Sequence, residues 1–561
     1  MILTLWLSLH AYAAGTSEPV VEVPPAVETA AEPGVVLNPA EIPLVVSTPA
    51  IGEAQDGVAP SAEASALAKQ RLALLGALRG SPAQHRYAMG KNLTLESTGQ
   101  VRALGYVPPP DVVLNPDGLR LGQGPTLDVR IRTGFALELD RLRLSTQWDL
   151  IAAPVVGDPW DIPGEEDRRH REATLATGGP IGAAPREASL SFAVPQGFAF
   201  SGGLQTSHWG LGLLANDGAH DTLFGRTDRG DRMLRVRGTF LPWTKAGKAM
   251  PLFVTLAADQ VVEDDLARWG EQRAWQVIGS VLWADPAQKL GAYIVYRDQT
   301  EPGVAPRPTR AAVADVYGDW KLEAASGWSG RVAIEAVGLF GTTQLVLPAY
   351  QRQTRVLSGG GALETELHDP TDVLQVHLRA GATSATGDPD QGRLSDFAMD
   401  SNYNVGLVLF DEVSGALEAA TWAALIDQGN LGQPPFGAEL QVSEGAVRRA
   451  AYVQPALVVR PAPPLDLRLG MVAAWSTGPV AWPFTTSRAG GEPRNQLDQP
   501  TDGRHYLGSE IDWAVGLGRM GGTDAWKVHP RMTIEGGHAF VGPAWGGGVF
   551  HEVLLSGRLD W

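Results

Sequence analysis

The sequence predicts an all-β fold, namely a single closed antiparallel transmembrane β-barrel of about 18 strands, with about 16 as the alternative count. Two observations predict it. The chain ends on an aromatic residue, Trp561, inside a stretch of alternating apolar and polar residues, whereas the ends of most soluble domains are poorly ordered. From residue 93 onward, apolar side chains recur at every second position, which is the period of a strand. A barrel leaves no open edge because its last strand pairs with its first.

The clearest hairpin spans residues 127–150. Apolar residues favour odd-numbered positions up to Leu139 and even-numbered positions from Leu142 onward. A two-residue turn at Asp140-Arg141 makes Leu139 and Leu142 cross-strand partners on one face. The switch in parity therefore predicts a hairpin with an unbroken apolar face.

Short turns and longer polar connections alternate along the rest of the chain. Further short turns are expected near 195–197, 244–248, 285–286, 326–330, 369–370, 461–464 and 521–524. Long loops are expected near 107–126, 154–185, 207–230, 261–272, 300–310, 342–352, 385–446, 477–504 and 539–547. Because bacterial barrels carry short turns on the periplasmic side, both ends of the barrel are predicted to be periplasmic. The largest loop, 385–446, contains the strand-like segment Tyr403–Phe410 and is expected to fold inward and narrow the pore.

The barrel is predicted to occupy residues 93–561, preceded by three other segments. Residues 1–13 resemble a signal peptide, although they contain no Lys or Arg, and a short buried segment is the alternative. Residues 14–60 are rich in Pro, Ala and Glu and are predicted to form a disordered periplasmic tether. Residues 61–92 are predicted to be a short helical segment whose helix ends at Gly80.

Composition excludes several classes of protein. The chain contains no cysteine, which excludes disulfide scaffolds, thiolate metal sites and cysteine nucleophiles. Its net charge of −17 disfavours a nucleic-acid partner, because phosphate binding needs a basic face. No apolar run reaches about 18 residues, so no transmembrane helix is predicted. Six tryptophans are interpreted as a lipid-interface girdle: Trp148, Trp275, Trp283, Trp320, Trp475 and Trp513.

Alternation assigns one set of side chains in each strand to lipid and the other to the lumen. The predicted pore-lining arginines are Arg102, Arg130, Arg132, Arg143, Arg235, Arg237, Arg379 and Arg468. Other lumen candidates are His377, Arg531, Glu96, Asp128, Glu138, Asp319, Glu335, Glu364, Glu366, Glu510 and Asp512. Basic candidates concentrate on early strands and acidic candidates on late strands. This distribution favours an electric field across the pore that discriminates between anions and cations. The alternative is that these residues pair across strands and stiffen the wall.

The sequence predicts no catalytic residue, no cofactor and no metal site. The segment 516–521 matches a dinucleotide-binding pattern by letter, but a turn follows it instead of a helix, and no nucleophile elbow is present. A Ser and a His from separate strands could still meet, so a hydrolytic site stays open as an alternative. Loop carboxylates such as Asp217 with Asp221, or Asp388 with Asp390 and Asp396, could bind Ca²⁺, but ordinary solvated loops are the favoured interpretation.

Two short motifs resemble known families. Residues 207–212 (Ser-His-Trp-Gly-Leu-Gly) and 216–218 (Asn-Asp-Gly) resemble the loop after the fourth strand in a family of large, mostly uncharacterised outer-membrane β-barrels of Gram-negative bacteria. Residues 386–390 (Thr-Gly-Asp-Pro-Asp), followed by Phe397, resemble the corresponding loop of alginate-export-type barrels, which are eighteen-stranded. The resemblance covers roughly residues 93–561 and implies a barrel with a transport role. It transfers no substrate and no ligand residue.

The sequence therefore predicts a porin-like channel of the outer membrane for passive passage of polar solutes, with anions and saccharides as candidates. The expected partners are outer-membrane lipids, small polar solutes and, through the C-terminal strand, the barrel assembly machinery. Two alternatives are kept. One is an outer-membrane barrel enzyme that hydrolyses lipid or glycan, and the other is a receptor or structural barrel plugged by its N-terminal helix.

Overall fold

The structure is a computed structural model of the chain. It describes residues 62–77, 85–107, 113–114, 120–121, 125–156, 181–227, 230–270, 272–301, 307–344, 353–385, 393–418, 443, 445–478, 480, 489–490, 492, 494–495, 498–501, 503–518 and 529–561. The predicted signal peptide (1–13) and tether (14–60) lie outside the described residues and stay predictions. The same holds for the motif at 386–390.

Eighteen long strands form one closed sheet, each antiparallel to both neighbours. In chain order they are β1 (Leu93–Val107), β2 (Thr126–Leu139), β3 (Leu142–Val156), β4 (Ile181–Val194), β5 (Phe198–Thr206), β6 (Arg232–Phe240), β7 (Leu252–Asp264), β8 (Arg273–Ala284), β9 (Gln288–Glu301), β10 (Arg307–Glu323), β11 (Ser329–Thr343), β12 (Thr354–His368), β13 (Leu374–Thr383), β14 (Ala450–Ala462), β15 (Leu465–Ser476), β16 (Tyr506–Leu517), β17 (His529–Val541) and β18 (Gly548–Asp560). Short strands at His85–Ala88, Ala267–Arg268 and Arg393–Leu394 extend this sheet, and two-residue strands pair in the connections at Val113–Leu114 with Arg120–Leu121 and at Thr244–Lys245 with Lys248–Ala249. The predicted closed antiparallel barrel of eighteen strands is confirmed, and the alternative count of sixteen is wrong.

The last strand closes the barrel against the first. β18 and β1 pair in antiparallel register over eight residue pairs. The backbone N–H of Trp561 then donates to the carbonyl of Gly99 at 3.0 Å, and the N–H of Gly99 donates back at 2.8 Å, so the ladder continues to the last residue. A Cβ on Gly99 would lie 2.1 Å from the Trp561 indole. Glycine at this position therefore lets the terminal ring pack on the seam.

The hairpin of β2 and β3 has the register that the sequence predicts. Leu139 pairs directly with Leu142, and Asp140 adopts the left-handed conformation (φ 51°) that a tight two-residue turn requires. The strands that flank the predicted short turns are connected at one end of the barrel, and those that flank the predicted long loops are connected at the other end. The predicted turn 521–524 and parts of several long loops lie outside the described residues. Because β1 starts and β18 finishes at the short-turn end, both ends of the barrel lie there.

The two faces of the wall have opposite character. Val236, Leu256 and Ile294 point outward with 70%, 67% and 62% of their surface exposed. Inward-facing Glu335 and Asp512 are fully buried by the contents of the lumen. The six girdle tryptophans all occupy positions of outward parity. An apolar outside around a polar inside is the arrangement that a barrel needs in lipid.

One helix, α1 (Ala62–Ala77), packs inside the mouth at the short-turn end. Leu75 of α1 is buried against Ala193, Leu241 and Phe253, which belong to β4, the β6–β7 connection and β7. The short helix of the predicted fold is therefore confirmed, and it covers one side of the mouth. The predicted helical segment 61–92 is wrong in its later part, where His85–Ala88 is a short strand paired with β1. None of the described helices is long and apolar enough to cross a membrane.

Candidate functional site in the lumen

A polar cavity of about 1800 Å³ extends from the short-turn end of the lumen up to two loops that fold inward. We call them inward loop A (residues 207–231, between β5 and β6) and inward loop B (the described part of 393–449, between β13 and β14). The cavity lining combines wall side chains such as Arg102 with loop side chains such as His220 and Tyr403.

The structure places all eight predicted arginines on the inward side of the wall. Six of them line the cavity: Arg102, Arg130, Arg132, Arg143, Arg379 and Arg468. Arg235 and Arg237 do not line it. Arg235 lies under inward loop A and donates to Oγ of Ser207 at 3.1 Å, while Arg237 donates to Oγ of Ser201 on β5 at 3.2 Å. A part in solute passage stays a prediction for the six that line the cavity.

Among the described residues, at least five of the eight arginines contact a carboxylate of the wall strands. Arg132 forms a bidentate salt bridge with Asp149, in which two guanidinium nitrogens donate to the two carboxylate oxygens at 2.6 and 2.9 Å. The other pairs are Arg235–Asp259 at 2.7 Å, Arg143–Glu96 at 2.6 Å, Arg379–Glu364 at 3.0 Å and Arg468–Asp466 at 2.5 Å. These contacts favour the pairing alternative for those residues, because each charge is held and largely neutralised at the wall.

Arg102 and Arg130 share an acceptor in inward loop A. Both donate to the carbonyl of Thr227, at 2.8 and 3.3 Å, and Arg130 also donates to Oε1 of Gln100 at 2.5 Å. The two arginines stand opposite each other on β1 and β2. Two guanidinium groups of the wall therefore meet at one carbonyl of this loop.

The opposite wall is acidic. Asp319, Glu364 and Glu366 surround Arg331 at 3.1, 3.5 and 3.0 Å, and Arg379 contacts Glu364 as well. Three carboxylates thus share two guanidinium groups. These residues lie on β10 to β13, about half a turn of the barrel from β1 and β2, and all five line the same cavity. A field across the width of the lumen stays a prediction, and these acidic residues lie on middle strands and not on the late strands that the sequence analysis named.

Inward loop A is fastened to widely separated strands. Trp209 stacks on Tyr293 of β9 with ring centroids 5.1 Å apart, and its Nε1 donates to Oδ1 of Asp315 on β10 at 3.1 Å. Farther along the loop, the backbone N–H of Gly225 donates to Glu535 of β17 at 2.9 Å. The loop therefore crosses the lumen and forms part of its constriction, which the sequence analysis did not predict.

Inward loop B is held at a buried helical turn. A π-helical turn at Val408–Val413 continues as α-helix to residue 418. The carboxylate of Glu510 on β16 accepts the backbone N–H groups of Leu407, Val408 and Leu409 at 2.5, 2.8 and 2.6 Å. The described part of this loop folds inward as predicted, and Tyr403–Phe410 forms no strand of the barrel.

Apolar residues of the two inward loops pack together in the half of the lumen nearest the long loops. Phe224 of loop A and Phe397, Leu407 and Phe410 of loop B belong to one buried cluster with wall residues. The polar cavity occupies the half at the short-turn end. The packed region therefore lies between the polar cavity and the long-loop end of the barrel.

Two histidines and an aspartate of inward loop A face the cavity together. Nδ1 of His220 lies 3.3 Å from Oδ1 of Asp217, and Nδ1 of His208 lies 3.9 Å from the same oxygen. The imidazole rings stack with centroids 3.9 Å apart. Burial and the neighbouring His220 lower the pKa of His208 to about 4, whereas the hydrogen bond to Asp217 raises the pKa of His220.

A serine and a histidine from different strands meet at the long-loop rim. Oγ of Ser476 lies 3.0 Å from Nδ1 of His505 and donates to the carbonyl of Gly478 at 2.8 Å. Because a hydroxyl carries one hydrogen, a proton committed to that carbonyl is not available to the histidine. This contact does not form an activated nucleophile.

The closed antiparallel wall, its apolar outside and its charged inside define the chain as an outer-membrane β-barrel. No family model matches the sequence, and no curated protein matches it. Among solved structures, the chain is similar to the outer membrane protein OprD from Pseudomonas aeruginosa, with 8% identity, a TM-score of 0.44, and 86% of this chain and 98% of that chain covered. It is also similar to Acinetobacter baumannii OccAB2, with 9% identity, a TM-score of 0.43, and coverage of 83% and 98%.

A third similar structure is Pseudomonas aeruginosa OccK2 (OpdF), which was solved in complex with glucuronate. Its identity is 7%, its TM-score is 0.43, and 86% of this chain and 100% of that chain are covered. None of these three proteins is an alginate-export barrel, so the expected resemblance to that type is not supported.

Proposed function

We propose that this chain is a porin-like channel of the outer membrane that passes small polar solutes passively. The observation that carries the proposal is the polar cavity of about 1800 Å³ inside a closed wall, lined by charged side chains of both signs. Eighteen strands enclose more space than wall side chains alone can fill. Because two loops pack inside that space, the proposed channel is selective and not an open pore.

The charges across the lumen suggest which solutes are favoured. A solute that reaches the constriction lies between the basic pair Arg102 and Arg130 and the acidic group around Arg331. Such a transverse field orients polar molecules and draws a carboxylate toward the basic wall. We therefore extend the proposal to anionic saccharides as a candidate solute class.

The test is conduction by the purified barrel in planar lipid bilayers. We expect discrete ohmic current steps, because passage is passive diffusion through a fixed path, and a reversal potential in a KCl gradient that reports an anion preference. In proteoliposome swelling, glucuronate is expected to enter faster than lysine of similar size. Folded protein that inserts into the bilayer and never conducts would contradict the channel proposal.

A plugged barrel is the second candidate, because α1 packs against the inside of the mouth through Leu75. A variant that lacks residues 14–80 keeps every strand pairing of the barrel, and we expect its single-channel conductance to exceed that of the full chain. Leu75→Asp is the matched point variant, since it removes the anchoring contact without shortening the chain. Heat-modifiable migration in SDS gels checks that both variants fold, and equal conductance in all three proteins would show that α1 obstructs nothing.

We also propose that the chain is not an enzyme. The hydroxyl of Ser476 donates to a backbone carbonyl, and this supports a structural part for that residue. Purified protein is expected to hydrolyse neither lipid nor glycan. Hydrolysis that Ser476→Ala or His505→Ala abolishes would contradict this proposal.

A further inference from the structure

We infer that inward loop A carries a binding site for a divalent transition-metal ion of the zinc class, with His208, Asp217 and His220 as ligands. The sequence analysis predicted no metal site and interpreted the carboxylates of this loop as solvated. The inference does not depend on conduction, because the site is defined by three side chains of one loop and its occupancy is measured directly.

The spacing of the three groups fits one small cation. In a tetrahedral site with metal–ligand bonds of about 2.1 Å, neighbouring ligand atoms are about 3.4 Å apart. Nδ1 of His220 and Nδ1 of His208 lie 3.3 and 3.9 Å from Oδ1 of Asp217. One ligand atom from each of the three residues can be chosen so that all lie within 4.8 Å of one another. The three side chains are therefore close enough for side-chain rotation to bring one atom of each to a single ion.

The backbone of inward loop A holds these side chains in place before any ion binds. The N–H of Trp209 donates to the carbonyl of Ala215 at 3.0 Å, which closes the loop next to His208. The N–H of Ala219 donates to Oδ1 of Asp217 at 3.0 Å, and this turn directs His220 back toward the aspartate. Because the loop is already ordered, binding costs little conformational entropy.

One polar atom of the site has no other partner. Nδ1 of His208 is buried and makes no hydrogen bond within the described part of the chain. Most buried polar atoms in proteins do have such a bond, so an atom without one calls for a missing partner.

The donor set selects the kind of ion. Two imidazole nitrogens and one carboxylate oxygen suit Zn²⁺ and its neighbours, whereas Ca²⁺ and Mg²⁺ prefer oxygen ligands only. The side chain of His220 is 62% exposed to the lumen, so a fourth position is open to water or to a solute carboxylate. Lys289 lines the same cavity and opposes a cation, while the carboxylates of Asp217 and Asp221 favour one.

A bound ion would change the constriction. It adds two positive charges to inward loop A on the cavity side, at the place where the loop crosses the lumen. The proposed consequence is a stronger preference for anions, together with direct coordination of a solute carboxylate at the open position.

The experiment is a Zn²⁺ titration of purified, chelator-treated barrel without a polyhistidine tag, monitored by competition with a fluorescent zinc indicator and by calorimetry. We expect one Zn²⁺ per chain. We expect His208→Ala and His220→Ala each to weaken binding by at least about 10-fold, since changes to residues that only support a ligand already cost this much. Asp217→Asn is expected to do the same while preserving the shape of the side chain.

The matched control is the double variant His368→Ala/His377→Ala. It removes a second pair of imidazoles, also close to each other, from the wall beside Glu366. This control is expected to bind Zn²⁺ like the unmodified chain, and heat-modifiable gel migration shows that every variant is folded. The inference is overturned if Zn²⁺ does not bind saturably. It is also overturned if the His368→Ala/His377→Ala variant loses Zn²⁺ binding while the loop variants keep it.

Discussion

Glu510→Ala is expected to release inward loop B and to enlarge the conducting path. The Glu510 carboxylate is fully buried and accepts the N–H groups of Leu407, Val408 and Leu409. Each buried N–H that loses its acceptor costs about 1–3 kcal/mol, so three of them outweigh thermal energy several times. We expect a larger single-channel conductance with more current noise in the open state. We also expect the loop contacts to melt at a lower temperature than the barrel wall.

Two variants make this result specific to the anchor. Glu510→Gln keeps one acceptor oxygen and is expected to give a conductance between those of Glu510→Ala and the unmodified chain. Glu492→Gln removes a carboxylate whose side chain is 62% exposed in a distant outer loop, and it should change nothing. If Glu510→Ala conducts like the unmodified chain, inward loop B does not limit the path.

Arg102→Gln/Arg130→Gln is expected to shift the reversal potential toward cation preference. Glutamine keeps a polar side chain that donates hydrogen bonds, while the two positive charges next to the carbonyl of Thr227 are lost. A unit charge at about 4 Å is worth about 1 kcal/mol in water, which is about fivefold in relative permeability for each arginine. The measurement is the reversal potential in a KCl gradient at about 0.1 M, because salt at about 1 M screens the effect.

Arg237→Gln is the control for this pair of substitutions. Arg237 lies on the same inward side of the wall but does not line the cavity, since it points toward Ser201. We expect no change in selectivity from it. An equal shift in the control and in the double variant would trace the effect to overall charge and not to the basic group at Thr227.

The wall of this barrel could be predicted in detail from the sequence because its rules are local. The apolar parity around Asp140 predicts that Leu139 faces Leu142, and the structure has that register. The positions of turns and loops follow from residues that are adjacent in the chain. Closure follows from a single feature, the alternating stretch that ends on Trp561.

The contents of the lumen could not be predicted in the same way. The constriction formed by inward loop A depends on Trp209 reaching Asp315 and on Gly225 reaching Glu535, residues that are 106 and 310 positions apart. The alternation of apolar and polar residues predicts the side of the wall on which Arg235 lies. It does not predict that inward loop A covers this residue. A carboxylate such as Glu510 can pair with an arginine or with backbone N–H groups. Which of these it does depends on the shape of the loop, and no periodic pattern in the sequence encodes that shape.

The contacts of inward loop A also bear on how the barrel is assembled. Asp221 contacts Arg558 of the final strand, 337 residues later in the chain, and Gly225 binds the strand before it. The loop emerges between the fifth and sixth strands, so these two contacts cannot form until the last hairpin is in position. Complete docking of inward loop A is therefore expected to follow closure of the wall, because contacts between distant parts of a chain form late.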